Sequence, residues 1–243
     1  MLGKITYLFL QNQESYNLLQ EIGLKNVVIS GDTRFDRVYA IASHAQVFPI
    51  IQKFAGQQKL LLAGSTWPPD ENIVKRFISE NQNVKLIIAP HEVHNERIRS
   101  ILTLFDPKNT IRYSDADDKS IASAQVLIID QIGILSSLYQ YCDIAYIGGG
   151  FGHGIHNILE AVTFGKPVIF GPNYQKFKEA VDLLDLGGAF TISNETDLNS
   201  EFSRLTESDE DYNAISSICK TFIEQNRGAT DQILNKLSEY IDD

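Results

Sequence analysis

The run DIAYIGGGFGHGIHNILEAVTFGKPVIFGP, from Asp143 to Pro172, decides the fold. Asp143 to Ile147 reads as a buried strand. Gly148-Gly149-Gly150-Phe151-Gly152-His153-Gly154 is a loop with five glycines, and a helix is expected to open near His156 and end at Phe164-Gly165. Lys166 to Pro172 reads as the next strand and its turn. Glycine lets a backbone turn tightly and lets a ligand approach its N–H groups. A helix N-terminus adds unpaired N–H groups and positive dipole potential, which suits an anion such as a phosphate.

Outward from this unit the pattern repeats. Toward the N-terminus, strands are expected at Ile5–Leu10, Asn26–Ser30, Leu60–Gly64, Val84–Ala89, Thr110–Tyr113 and Val126–Ile129. Helical spacing of apolar residues marks 13–22, 33–42, 71–80, the stretch after His91 to Phe105, and 134–141, with a short helix near 50–54. Beyond the unit come a helix over 175–184, a strand at 187–192 and helices over 197–206, 211–225 and 230–241. Strands alternating with helices predict an α/β fold, a Rossmann-like doubly wound parallel sheet with helices on both faces. Such sheets bind ligands at the carboxyl ends of their strands. Five loops fall there: Gly64 to Trp67, Pro90 to Glu92, Asp130 to Gly133, Gly148 to His156, and Gly171 to Tyr174.

The totals narrow the function. The chain has 243 residues, 43% hydrophobic and 21% charged, which suits a soluble globular protein with a full core. A net charge of −10 argues against nucleic acid as the main partner, because phosphate backbones demand a basic surface. Cys142 and Cys219 fit no metal or redox spacing and read as reduced thiols of an intracellular protein. No apolar run approaches the roughly 20 residues of a spanning helix. Because Met1 leads at once into a strand, the chain reads as a possible piece of a longer protein.

Each candidate has a bland rival. Ser65 and Thr66 either bind phosphate or cap the following helix. His91 either contacts a nucleotide or caps. Glu160 either accepts hydrogen bonds from ribose hydroxyls or closes a capping box with Asn157. Arg34 is either a solvated helix residue or a cation reaching a phosphate in the cleft. Tyr174, Lys176 and Lys178 are ligand contacts or an ordinary helix start. His153 and His156 lack a third ligand nearby in sequence, so no metal is expected. There is no nucleophile elbow, no Walker loop, and no dinucleotide fingerprint.

Two patterns carry a resemblance. His153-Gly154, Glu160-Ala161, Gly165, Pro167 and Pro172 resemble the donor-site signature of GT-B glycosyltransferases. More narrowly, six segments taken in order resemble the 3-deoxy-D-manno-octulosonic acid (Kdo) transferases of lipopolysaccharide assembly. They are Gly31 to Asp36, Ala63 to Thr66, Ala89-Pro90-His91, Gly148-Gly149, His156 to Ala161, and Gly171 to Tyr174 with Phe177-Lys178.

The resemblance implies transfer of Kdo from CMP-Kdo to a lipid A precursor at the cytoplasmic face of the bacterial inner membrane, by a peripherally associated enzyme. It implies two Rossmann-like domains, no cofactor and no metal. The family's CMP contacts fall here on Pro90, His91, Gly133, Ile134, Leu135, Asn157, Ile158, Leu159 and Glu160. Arg34, Ser65, Thr66 and the N–H groups around His156 become candidates for the phosphate. Gly149, Asn173 and Lys178 join the expected CMP-Kdo site. His91 stands where the family often has arginine, and Ile134 where others can carry a polar residue. The family's general base, a glutamate of the acceptor domain, has no match here, and neither has its membrane-entry region. The chain therefore reads as a soluble donor-binding half, the C-terminal domain of a GT-B fold, inactive alone. Residues 1–44 would form an inter-domain strand and helices, and 45–243 the donor domain. The alternatives are a stand-alone nucleotide-binding module and another GT-B enzyme such as a sugar-nucleotide epimerase.

Overall fold

The computed structural model describes residues 4–238. In chain order its elements are β1 (Leu8–Leu10), α1 (Gln13–Glu21), β2 (Val27–Ile29), α2 (Thr33–Ser43), α3 (Pro49–Ala55), β3 (Lys59–Thr66), α4 (Pro68–Glu80), β4 (Val84–Pro90), α5 (Asn95–Leu102), β5 (Thr110–Arg112), α6 (Ser120–Ser123), β6 (Val126–Ile128), α7 (Leu135–Leu138), β7 (Ile144–Ile147), α8 (Leu159–Val162), β8 (Val168–Phe170), α9 (Lys178–Asp185), β9 (Ala189–Thr191), α10 (Glu195–Glu207), α11 (Asp209–Asn226) and α12 (Ala229–Ser238). The part of the last expected helix beyond 238 lies outside the described residues.

Seven strands form one parallel sheet in the order β5-β6-β4-β3-β7-β8-β9. Leu60 to Ala63, Leu86 to Ile88, Ile144 to Ile147 and Val168 to Phe170 are all fully buried. A parallel sheet covered on both faces needs such unbroken apolar runs rather than an alternation. From β3 the chain moves outward to β4, goes on to the edge strand β5, and comes back one place to β6 between β5 and β4. It then returns to place β7 on the other flank of β3. The strand order therefore reverses between β3 and β7, and the crevice beyond their carboxyl ends is where a doubly wound sheet receives its ligand.

β1 and β2 form a separate two-stranded parallel sheet, with Phe9 opposite Val28, that shares no strand with the large one. The helix that follows is docked on the main body: α2 packs against α7, α8, α11 and α12. Asp32 caps α2 by accepting the Arg34 N–H at 2.9 Å. Asp36 accepts the N–H groups of Gly228 and Thr230 at the start of α12. Phe35 meets Phe222 edge to face at 5.5 Å between ring centres.

Two expectations shift. The helix after the glycine loop begins at Leu159, not near His156, and is a single turn. Asn157 Oδ1 accepts the Leu159 N–H at 3.1 Å and starts it there, and Gly165, at φ +71, ends it. The helix after His91 begins only at Asn95, where His94 supplies the cap by accepting the Arg97 N–H.

Candidate functional site

All seven strands of the large sheet run parallel, so the five loops named from sequence emerge from one edge. The chain is tightest where the strand order reverses. Ser65 sits at φ +53, the one non-glycine residue with positive φ among the described residues. A side chain in that region costs of order 1–3 kcal/mol and persists only where its surroundings over-determine it. The surroundings here are Gly148, which lies so close to the Ser65–Thr66 backbone that a Cβ would clash with the Ser65 carbonyl.

Asp70 ties this junction together. It is buried, and its carboxylate accepts the Trp67 N–H at 2.9 Å, the Tyr146 hydroxyl at 2.7 Å and the Gly149 N–H at 2.9 Å. One side chain thus holds the β3–α4 turn, strand β7 and the glycine loop. Beside it Thr66 donates to Glu71 Oε1 at 3.0 Å, and Arg97 reaches the same oxygen at 2.5 Å. Glu71 is fully buried, Oε2 has no partner, and burial raises its pKa against the opposing pull of Arg97.

Three rings lie over the crevice. The Trp67 indole N–H donates to His156 Nε2 at 3.1 Å. The His91 ring stacks on Trp67 at 4.7 Å and on His156 at 4.4 Å between centroids. A ring nitrogen that accepts a hydrogen bond carries no proton, so His156 is the neutral tautomer protonated at Nδ1. Its pKa is lowered, first by burial and then by the neighbouring His91. His91 is thereby a stacked ring at the end of β4, where Pro90 is buried, and it is not a cap.

Glu160 lines a narrow groove with Val38, Ile41, Ser136, Thr163 and Phe164. The capping box does not form. Asn157 Oδ1 accepts the Leu159 N–H, and its Nδ2 donates to Glu160 Oε1 at 3.4 Å. Burial raises the Glu160 pKa, with Asn157 and Arg37 acting against it. Ile158 and Leu159 are fully buried core residues, so their contribution to a ligand is limited to the backbone. Gly133 turns at φ +87 just before Ile134 and Leu135, both half-buried at the start of α7.

Several expected contacts are turned inward. The Thr66 hydroxyl is buried and given to Glu71, so it is neither a phosphate ligand nor a cap. The N–H of His156 is spent on Gly148 O and that of Ile155 on Asn173 O. In the loop, the N–H groups of Gly150, Phe151 and His153 have no intramolecular partner among the described residues; Gly150 is buried, so Phe151 and His153 are the more accessible donors left for an anion. Asn173 is a brace: its Nδ2 donates to Gly152 O at 2.8 Å and its N–H to Gly150 O. Lys178 pairs with Asp182 one turn on and stays exposed. Arg34 pairs with Asp32 and makes a two-pronged contact with buried Glu179 at 2.7 and 3.2 Å, so both faces of its fork are occupied by carboxylates. Lys178–Asp182 and Arg34–Asp32 are local pairs, but the pairings of Thr66, Asn173 and Arg34 with Glu71, Gly152 and Glu179 have no signature in local sequence, because they are set by the fold.

Among the described residues no three His, Cys, Asp or Glu side chains are grouped to hold a metal, and no helix is long and apolar enough to cross a membrane. Both cysteines are buried and free.

No family model matches the chain. The fold is that of the C-terminal domain of GT-B glycosyltransferases. The C-terminal CMP-Kdo binding domain of WaaA from Acinetobacter baumannii superposes with a TM-score of 0.60 over 79% of this chain and 99% of that one, at 20% identity. The UDP-GlcNAc 2-epimerase of Neisseria meningitidis, solved with UDP-GlcNAc, gives 0.64 over 96% of this chain and 61% of that one, at 18% identity. These are likenesses of fold.

In sequence the chain is similar to 3-deoxy-D-manno-octulosonic acid transferases. That of Rickettsia felis is 24% identical over 249 aligned residues, 99% of this chain and 53% of the relative. The chain thus spans about half the length of the curated relatives it matches.

Proposed function

We propose that this chain is the donor-binding half of a glycosyltransferase that transfers Kdo from CMP-Kdo to a lipid A precursor in lipopolysaccharide synthesis. The observation that carries the reading is the sequence similarity to Kdo transferases over 99% of the chain, which takes in every loop of the crevice. CMP lies across the carboxyl ends of β3, β4 and β7. Its ribose hydroxyls donate to Glu160, its phosphate meets the Phe151 and His153 N–H groups, and its base lies toward Pro90, His91 and Gly133. A phosphate held by oriented N–H groups is a better leaving group, because the charge that develops as the bond breaks is already met.

The acceptor and the general base belong to the other half of the enzyme, so this half alone binds but does not turn over. The small sheet supports that division. A two-stranded sheet is at best marginal in isolation. β1–β2 and its helices leave Ile5, Leu18, Ile22, Ile29, Leu234 and Leu237 exposed, as expected of a surface that meets a second domain. The whole enzyme would work at the cytoplasmic side of the inner membrane as a peripheral protein. Calorimetric titration of the chain with CMP, and with UDP as the competitor favoured by the epimerase-like neighbours, tests the reading.

A further inference from the structure

We propose that Arg97 is a positioning residue of the nucleotide crevice, acting through buried Glu71 on Thr66 and from there on the ring stack of His91, Trp67 and His156; this rests on the donor reading above. Arg97 lies on α5 and lines neither the groove of Glu160 nor the cavity beside Trp67 and His156. Its influence runs through four short links. Arg97 Nη2 donates to Glu71 Oε1 at 2.5 Å. The same oxygen accepts the Thr66 hydroxyl at 3.0 Å. The Thr66 carbonyl accepts the His91 N–H at 3.0 Å. The His91 ring stacks on both Trp67 and His156, which are themselves joined by the bond from the indole N–H to Nε2.

Thr66 is the pivot because the β3–β4 ladder changes register there. Gly64 is opposite Ala89 and Thr66 is opposite Pro90, so Ser65 is an extra residue bulged out of β3, at φ +53. A bulge re-aims the chain around it, and here the next residue is Trp67. Backbone strain of this kind persists only where neighbours fix it. Gly148 confines Ser65 by close approach, and Glu71 fixes Thr66 through its hydroxyl.

The ion pair is out of character for its place. Beyond Asp70 and Glu71, the residues that α4 and α5 bury are apolar: Val74, Phe77, Ile78, Ile98 and Ile101. An apolar pair of similar volume is often as stable as a buried ion pair, or more so. It would, however, leave the Thr66 hydroxyl without its acceptor. What the charges add is therefore a fixed strand end. Arg97 is the one cation paired with Glu71 among the described residues.

Trp67 is the single tryptophan of the chain, so its indole N–H resonance reports on the stack with no ligand present. The variants are Arg97→Met, which keeps side-chain length without charge, Thr66→Val, which removes the hydroxyl at nearly constant shape, and the two combined. The probe is CMP, titrated into the 243-residue chain. Each single variant should shift the Trp67 resonance of the free chain and weaken CMP binding by about tenfold. The double variant should bind within about twofold of either single one, because both cut the same path. Arg97→Lys should restore most of the affinity, since one contact to Oε1 needs one donor. If native CMP affinity and an unshifted Trp67 resonance persist in Arg97→Met, or in Thr66→Val where Arg97→Met does not fold, the pair is a stabilising contact alone. The proposal is then overturned and the donor reading stands. Losses that multiply in the double variant overturn it equally. If CMP does not bind the folded native chain, the donor reading fails and the proposal with it.

Discussion

Asp70 accepts the Gly149 N–H at 2.9 Å, and through this bond the turn after β3 sets the position of the glycine loop after β7. The two residues are 79 positions apart in sequence, yet they meet where the order of strands reverses. Removing the acceptor strands three donors at once, two of them buried. Asp70→Ala should lower unfolding free energy by about 3 kcal/mol or more, since hydrogen bonds to charged groups contribute about 1.5–3 kcal/mol each and are not additive. Urea denaturation measures it, and a loss under about 1 kcal/mol would contradict the role of Asp70 as the tie.

Gly148 and Gly152 sit four residues apart in one loop but face different constraints. A Cβ at Gly148 collides with the backbone of Ser65 and Thr66, which cannot move without disturbing β3. Gly148→Ala should cost about 1–3 kcal/mol or more by overpacking. Gly152→Ala, with only the Gly149 carbonyl at 3.6 Å, should stay within about 0.5 kcal/mol of the native chain. Equal effects in thermal or urea unfolding would refute the close-approach explanation.

On the proposed ribose contact, Glu160 would couple CMP binding to pH. Its ionised form is the better acceptor for ribose hydroxyls, and burial raises its pKa above the usual glutamate value of about 4.3. CMP affinity should therefore begin to fall, on acidification, at a higher pH than for an exposed carboxylate. Glu160→Gln should weaken CMP binding by roughly tenfold and flatten that part of the profile. An unchanged pH profile in the variant would remove Glu160 from the ribose site.

His156 gives a stability signature of the opposite group type. Its folded pKa is lowered by burial and by His91, so the unfolded chain binds more protons as pH falls. Stability should be lost as pH drops through the unfolded value of about 6.5 toward the folded pKa, because protonating Nε2 breaks the bond from Trp67. His156→Gln should lessen this loss between pH 7.5 and 5. A native chain and variant with parallel stability profiles would contradict the neutral tautomer.

Arg34 separates a structural cation from a ligand contact. Its loss leaves Glu179 buried without its partner, and with Arg34 itself half-exposed the cost should be about 1–2 kcal/mol. CMP affinity should change less than about twofold, in contrast to Glu160→Gln. A tenfold loss of CMP affinity in Arg34→Ala would restore the phosphate role.

What could be read in advance follows the range of the forces involved. The sheet was legible, because β3, β4, β7 and β8 each hold an apolar run (Leu60 to Ala63, Leu86 to Ala89, Ile144 to Ile147, Val168 to Phe170), and a parallel sheet needs such runs. The convergence of the five loops followed from parallel strand direction alone. The side-chain roles were less legible. Thr66 and Asn173 look like ligand residues in a loop, but their partners Glu71 and Gly152 are fixed by tertiary packing. The helix start near His156 was displaced because Gly148 O captures the His156 N–H, a loop closure that helical periodicity does not register. Asp70 belongs to no ligand motif in the sequence. Its spacing to Trp67, with the helix opening at Pro68, is the signal of an N3 carboxylate reaching back, and it marks the residue that holds the site.

The central claim is that the crevice between β3 and β7 binds the cytidine nucleotide of a sugar donor. Isothermal titration of the folded 243-residue chain with CMP and with UDP tests it most directly. Saturable binding of CMP at or below about 1 mM, with UDP at least tenfold weaker, is the expected result. No heat of binding at millimolar CMP, or a preference for UDP, would contradict it.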